Sequence, residues 1–240
     1  MRNRDEFKRP YVDAAAMLKS ASNPMEVAYY GHSDRLANKW HHYLEIYDRH
    51  LARFRDRPVN MLELGIFCGG SLQIWKKYFG NEAVISGIDI EPRCANFAED
   101  RIVTYVGDEA DTGFLQRVAR QLGRIDIVID DASHLNPNQI HNFETLYPLV
   151  DENGVYVCED THTSYWSDYH GGLRAPGSFI EYAKRLVDRL HAWYVDGDTE
   201  SKDETFARMT HAIHFYDSMV IFEKRRKDLP FQNKIGWRQF

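Results

Sequence analysis

Three features are scarce in this sequence, and each scarcity excludes a class of protein. The 240 residues include three cysteines, Cys68, Cys94 and Cys158, without paired spacing, so we expect neither a disulfide framework nor a zinc site. The net charge of −6 disfavours a nucleic-acid partner. No apolar run approaches the roughly 18 residues that a membrane span needs, and Met1–Lys8 lacks the apolar stretch of a signal peptide. We therefore expect a cytoplasmic protein that binds neither nucleic acid nor membrane.

From residue 58 onward, strand-like apolar runs alternate with amphipathic helical segments. Strands are predicted near 60–64, 83–89, 102–106, 125–130, 154–159, 212–216 and 218–223, and helices near 71–79, 92–98, 111–122, 136–147 and 178–193. This alternation predicts an α/β fold with a mostly parallel sheet and helices on both faces. The last two strands are close enough to form a hairpin, which makes one of them antiparallel.

The first 57 residues predict helices instead of strands. An apolar stripe between Leu36 and Phe54 has helical spacing, and Asp34 could begin that helix. We expect residues 1–57 to form a helical N-terminal extension or lid, and residues 58–240 to form one ligand-binding domain.

A glycine-rich segment, Glu63-Leu-Gly-Ile-Phe-Cys-Gly-Gly-Ser71, follows the first strand and leads into a helix. Gly65 lets the backbone approach a ligand, and Ser71 can cap the helix. Asp89 ends the second strand, where a carboxylate can hold ribose hydroxyls. The spacing differs from the dinucleotide motif G-x-G-x-x-G. We predict a nucleotide-type cofactor here; the alternative is an ordinary turn with packing glycines.

Carboxylates follow two strands that should be neighbours. The fourth strand ends at Asp130 and Asp131, and the fifth ends at Glu159 and Asp160. Asp131, Glu159 and Asp160 should meet at one edge of the sheet, where they repel one another unless a cation or protons intervene. Oxygen ligands favour Mg²⁺, or Mn²⁺ or Ca²⁺, over zinc. Alternatively, these acids cap helices and contact the cofactor, a role we expect for Asp130.

His134 lies three residues after Asp131, at the start of the next helix. A divalent cation makes a neighbouring alcohol more acidic, and imidazole is the commonest general base near neutral pH. We predict that His134 is such a base. The alternative is a surface histidine that caps or orients an acid.

The segment Thr161–Gly177 is too long for a simple connection. Gly171 and Gly172 could form a hinge, while aromatic side chains could stack on an acceptor; the alternative, a loop held by buried aromatics, is equally consistent with the sequence. The residues that we expect to meet the acceptor are His162, Tyr165, Trp166 and Tyr169.

The motif Asp130-Asp-x-Ser-His134, followed by Glu159-Asp-Thr161, resembles metal-dependent sugar O-methyltransferases that act on macrolide deoxysugars and methylated mannose polysaccharides. The resemblance covers about residues 30–225. It implies a class I S-adenosylmethionine (SAM) methyltransferase, Rossmann-like fold with seven strands, together with SAM, Mg²⁺ and methylation of one sugar hydroxyl. Transferred by position, it implies the metal ligands Asp131, Glu159 and Asp160 and the general base His134. The positions that it implies for SAM are Glu63, Gly65, Ser71, Asp89 and Asp108.

Other activities share parts of this pattern. The glycine-rich loop also resembles that of catechol O-methyltransferases, which share the carboxylate spacing. Those enzymes typically have Asn at the position of Asp160 and Lys at that of His134, and both differences favour a sugar acceptor here. A SAM-binding protein without turnover is a further alternative. A hydroxylase is disfavoured, because the sequence supplies no facial His-His-carboxylate iron site. The macrolide enzymes carry a further N-terminal domain, so we do not expect their oligomeric state or acceptor to transfer. The N-terminal aromatic helices are compatible with a homodimer.

Overall fold

The computed structural model describes residues 13–196 and 204–239, and it divides into two compact units, Met1–Phe114 and Leu115–Phe240. The elements of the first unit are α1 (Ala14–Lys19), α2 (Pro24–Tyr30), α3 (His41–Leu51), β1 (Val59–Leu64), α4 (Gly70–Phe79), β2 (Ala83–Asp89) and β3 (Ile102–Val106). Helix α5 (Thr112–Leu122) crosses the boundary between the units. The elements that follow are β4 (Ile127–Asp130), α6 (Asn136–Leu146), β5 (Val155–Cys158), α7 (Phe179–Leu190), α8 (Glu204–Met209), β6 (Thr210–Tyr216) and β7 (Met219–Lys224).

The strands of the first unit are parallel and lie in the order β3-β2-β1. Strand β1 is buried at Met61, Leu62 and Leu64, as expected for a strand covered on both faces. Helix α4 buries Trp75 and Phe79, whose rings stack with centroids 5.9 Å apart. Burial of these aromatic rings is the main apolar contribution to this core.

The strands of the second unit lie in the order β4-β5-β7-β6. Strands β4 and β5 are parallel and entirely buried, and β7 runs antiparallel to both β5 and β6. The register pairs Asp130 with Cys158. The residues that follow, Asp131 and Glu159, therefore leave the two strands side by side, which is the arrangement that the sequence predicted.

The predicted fold class is confirmed, since the described residues form seven strands of which β7 is antiparallel to its neighbours. The predicted start of the third helix was wrong: it begins at His41, not Asp34. The chain before it is not helical and contacts α4, where the carbonyl of Leu36 accepts a hydrogen bond from the N–H of Gly70 (3.2 Å). The division at residue 57 stays a prediction.

None of the helices in the described residues is long and apolar enough to cross a membrane. Cys68, Cys94 and Cys158 are free thiols.

Candidate functional site

In the first unit, the glycine-rich segment forms a tight turn between β1 and α4. Gly65 and Gly69 have φ angles of 89° and 77°, which favour glycine. Gly70 is needed for a different reason: a Cβ atom there would lie 2.3 Å from the carbonyl oxygen of Arg35. The segment before α3 thus lies directly against the first residue of α4.

Glu63 is fully buried beneath this turn. Its carboxylate accepts hydrogen bonds from Ser71 Oγ (2.7 Å) and Trp75 Nε1 (3.1 Å), and it forms an ion pair with Lys39 Nζ (3.4 Å). Buried charges need such partners, because an unpaired one costs several kcal/mol. Glu63 therefore joins β1, α4 and the N-terminal segment. The expected helix cap was wrong: Ser71 lies inside α4, after the N-cap Gly69, and its hydroxyl is bonded to Glu63.

Two further acids lie at the carboxyl ends of β2 and β3, where parallel sheets bind ligands. Asp89 accepts hydrogen bonds from the N–H groups of Ile66 (2.8 Å) and Phe67 (3.0 Å), and thereby holds the glycine-rich turn. Asp108 is exposed and accepts from the N–H of Ala110 (2.8 Å). Contacts of these acids, and of Glu63, Gly65 and Ser71, with a cofactor stay predictions.

In the second unit, Asp131, His134 and Asp160 come together. His134 Nε2 lies 3.5 Å from Asp160 Oδ2 and 3.9 Å from Asp131 Oδ1, and one ligand atom from each residue lies within 4.8 Å of the others. The three side chains are about one-fifth exposed, at 22% each. We call these three residues the acid–histidine group.

Glu159 directly follows β5, beside Asp160. Among the described residues, its carboxylate is not grouped with the ligand atoms of Asp131, His134 and Asp160. It is 1% exposed, its N–H donates to the carbonyl of Asp130 (2.9 Å), and its own carbonyl accepts from Gln139 Nε2 (2.9 Å). Asp130 is also buried, and its carboxylate accepts from Tyr156 Oη (2.9 Å) and Asn142 Nδ2 (3.3 Å). A metal contact for Glu159 and a cofactor contact for Asp130 stay predictions.

The backbone at the acid–histidine group is strained. His134 and Asp160 have φ angles of 56° and 52°, in the left-handed region that L-residues seldom adopt. Such conformations cost on the order of 1–3 kcal/mol and occur preferentially at functional sites.

The donor set of this group fits a hard divalent cation. Two carboxylates supply oxygen ligands of the kind that Mg²⁺ prefers, and their mutual repulsion favours a cation between them. Behind them, burial raises the pKa of the Cys158 thiol, and the surrounding carboxylates, Asp130 first, raise it further. Cys158 is thus a neutral thiol and not a soft metal ligand.

The loop after β5 is packed against the protein by specific contacts. His162 Nδ1 is hydrogen bonded to Ser218 Oγ, and the His162 ring lies edge-on to Trp166 with centroids 4.6 Å apart. Tyr165 is 51% exposed. A Cβ at Gly171 would lie 2.5 Å from the carbonyl oxygen of Thr163, so this glycine allows close packing. A contact of His162, Tyr165, Trp166 or Tyr169 with an acceptor stays a prediction.

Comparison with known proteins finds relatives of this chain, although no protein-family model matches it. The chain is 38% identical over 205 residues to the Streptomyces olivaceus 8-demethyl-8-(2-methoxy-alpha-L-rhamnosyl)-tetracenomycin-C 3'-O-methyltransferase, covering 80% of this chain and 52% of the relative. It is 35% identical over 199 residues to the 8-demethyl-8-alpha-L-rhamnosyl tetracenomycin-C 2'-O-methyltransferase of the same organism, covering 79% and 52%. The chain is a homologue of these sugar O-methyltransferases.

A solved structure agrees with this assignment. The chain matches the MycE methyltransferase from the mycinamycin biosynthetic pathway, in complex with Mg, SAH and mycinamycin VI, with a TM-score of 0.73 and 30% identity. The match covers 90% of this chain and 54% of that one. The chain therefore has the class I methyltransferase fold, and it spans about half the length of these sugar O-methyltransferases.

Proposed function

We propose that this protein is a SAM- and Mg²⁺-dependent O-methyltransferase that methylates one hydroxyl of a sugar, in a saccharide or a glycosylated natural product. The observation that supports it most is the acid–histidine group, Asp131, His134 and Asp160, within a chain homologous to enzymes that methylate rhamnosyl groups. The homology matters here because exposed acids often cluster without a metal.

This proposal assigns each binding task to named residues. Asp131 and Asp160 hold Mg²⁺, with Glu159 as a third ligand. The residues that would hold SAM are Glu63, Gly65, Ser71, Asp89, Asp108 and Asp130.

The chemistry follows from the orientation of His134. When bound, Mg²⁺ makes a neighbouring sugar hydroxyl more acidic and SAM offers an electrophilic methyl group. His134 Nε2 faces both acids, at 3.5 and 3.9 Å, and would accept the hydroxyl proton as the sugar oxygen attacks the methyl carbon. The bond between that carbon and the sulfonium sulfur would break, and the products would be a sugar methyl ether and S-adenosylhomocysteine. Holding the oxygen and the methyl carbon in line supplies a large part of the rate.

The test is transfer of a labelled methyl group from SAM to a panel of acceptors. The panel contains methyl α-L-rhamnopyranoside, methyl α-D-mannopyranoside and catechol, each with EDTA and with EDTA followed by excess Mg²⁺. We expect methylation of at least one glycoside, its loss with EDTA and its recovery with Mg²⁺. Methylation of catechol alone would favour the catechol alternative, and SAM binding without transfer to any acceptor would favour a non-catalytic protein.

The proposal also covers the location and the oligomeric state of the protein. We propose a cytoplasmic location, supported by the free thiols of Cys68, Cys94 and Cys158, and a homodimer in solution. Cell fractionation and light scattering coupled to size exclusion test these two points.

A further inference from the structure

Asn136 begins α6, two residues after His134, and its side chain is fully buried. The side-chain amide makes four hydrogen bonds, in which Nδ2 donates to Thr163 O (3.2 Å) and Tyr169 O (2.8 Å), and Oδ1 accepts from Ser164 Oγ (2.8 Å) and Phe179 N (2.7 Å). An asparagine amide has two N–H donors and two acceptor lone pairs, so each of its hydrogen-bonding positions is occupied.

Three of the four partners belong to the segment that joins β5 to α7, the loop that carries Tyr165, Trp166 and Tyr169, and the fourth is the first residue of α7. They lie at its beginning, in its middle and at the first residue of α7. This side chain therefore connects the beginning, the middle and the end of the loop. It adds to the two short 3-10 helices within the loop, at Thr161–Tyr165 and Ser167–Tyr169. Ser164 extends the contact, because its Oγ also accepts from the N–H of Ile180 (3.2 Å).

The same loop is bonded to the backbone of the predicted base. Thr163 Oγ1 donates to the carbonyl of His134 (2.9 Å), while the carbonyl of Thr163 accepts from Asn136. Thr163 is buried, so these bonds are shielded from water and stronger for it. The loop and His134 are thus held in a fixed relation within the second unit.

We propose that Asn136 is a positioning residue, which holds the 161–178 loop as a preformed acceptor surface beside His134. The acceptor role of the loop rests on the proposed function. Preorganisation of this kind lowers the cost of binding, because the loop is already ordered before the sugar arrives.

The test compares Asn136→Asp and Ser164→Ala with the wild type. Asn136→Asp keeps the side-chain shape but places a carboxylate oxygen against the carbonyls of Thr163 and Tyr169. Ser164→Ala removes one donor to Asn136 and the acceptor of the Ile180 N–H, and it is the milder change because it adds no charge. Asn153→Asp, at an exposed turn of the same unit, is the matched control. Amide hydrogen exchange by mass spectrometry reports on loop order without any acceptor, and kinetics use methyl α-L-rhamnopyranoside or whichever glycoside the wild type methylates.

We expect exchange in the 161–178 peptides to accelerate by about tenfold or more in Asn136→Asp, and by less in Ser164→Ala, with β4 and β5 unchanged. The KM for the glycoside should rise about tenfold while the KM for SAM stays within about twofold. Asn153→Asp should match the wild type in both measurements. If Asn136→Asp does not fold, Ser164→Ala carries the same comparison.

Wild-type exchange and wild-type KM in the folded variants would overturn the proposal. So would faster exchange spread evenly over the unit, or equal rises in the KM for SAM and for the glycoside, since either would indicate general destabilisation. A wild type that methylates no glycoside would instead contradict the proposed function, and the exchange data would still decide whether Asn136 anchors the loop.

Discussion

The replacement Asp131→Asn should stabilise the metal-free protein while abolishing its response to Mg²⁺. One carboxylate oxygen of Asp131 lies within 4.8 Å of one of Asp160. At an effective dielectric constant of about 20, two unit charges at that distance repel by about 3 kcal/mol. Partial exposure of both side chains to water, at 22%, reduces this to about 1–2 kcal/mol.

The assay is thermal unfolding at about pH 8, at which ordinary imidazoles are neutral, with EDTA or with Mg²⁺. For a chain of 240 residues, 1 kcal/mol corresponds to about 2–4 °C, so we expect Asp131→Asn in EDTA to unfold about 2–8 °C above the wild type. Saturating Mg²⁺, at about 100 times its Kd, should stabilise the wild type by about 2.7 kcal/mol and leave the variant unchanged.

The control for this experiment is Asp188→Asn, which removes an exposed acid on α7. It should change the Tm in EDTA by less than about 1 °C and keep the full response to Mg²⁺. A lower Tm for Asp131→Asn in EDTA, together with a wild-type response to Mg²⁺, would refute both the repulsion and the metal assignment.

Three further replacements test single contacts. His134→Ala should lower methyl transfer by about 10²–10⁴-fold while SAM affinity, measured by calorimetry, stays within twofold; near wild-type turnover would show that another group is the base. Glu63→Gln removes the buried ion-pair partner of Lys39 (3.4 Å), so urea unfolding should show a loss of about 3 kcal/mol, and a loss below about 1 kcal/mol would contradict the pairing. Lys224→Met removes the ammonium that donates to the carbonyls of residues 147, 148 and 150 (3.1, 3.3 and 2.5 Å); we expect a loss of about 2–4 kcal/mol, and unchanged stability would show that these carbonyls need no donor.

The strand–helix alternation after residue 58 was sufficient to predict the sheet, because buried parallel strands are short apolar runs with turn residues between them. It also placed Asp131 and Asp160 together, since each lies within two residues of the end of one of two neighbouring strands. Local pattern and strand order were enough for these two points.

Other features depend on contacts between residues far apart in the sequence. The start of α3 was misplaced because the chain before it is held by Gly70, about 35 residues further on, and not by its own helical periodicity. Asn136 was not singled out, although Asn-Pro at the start of a helix is a visible signal, because its partners lie 27 to 43 positions away. Glu63 was read as a cofactor residue, while its bonds to Ser71 and Trp75 reveal a structural role as well.

The most direct test of the account is anomalous diffraction from crystals of the protein soaked in Mn²⁺, which stands in for Mg²⁺ at oxygen-rich sites. The account predicts a single strong peak at about 2.0–2.3 Å from carboxylate oxygens of both Asp131 and Asp160. Mn²⁺-soaked crystals with SAM bound at full occupancy would contradict the account if these two carboxylates were turned apart, with no anomalous peak between them.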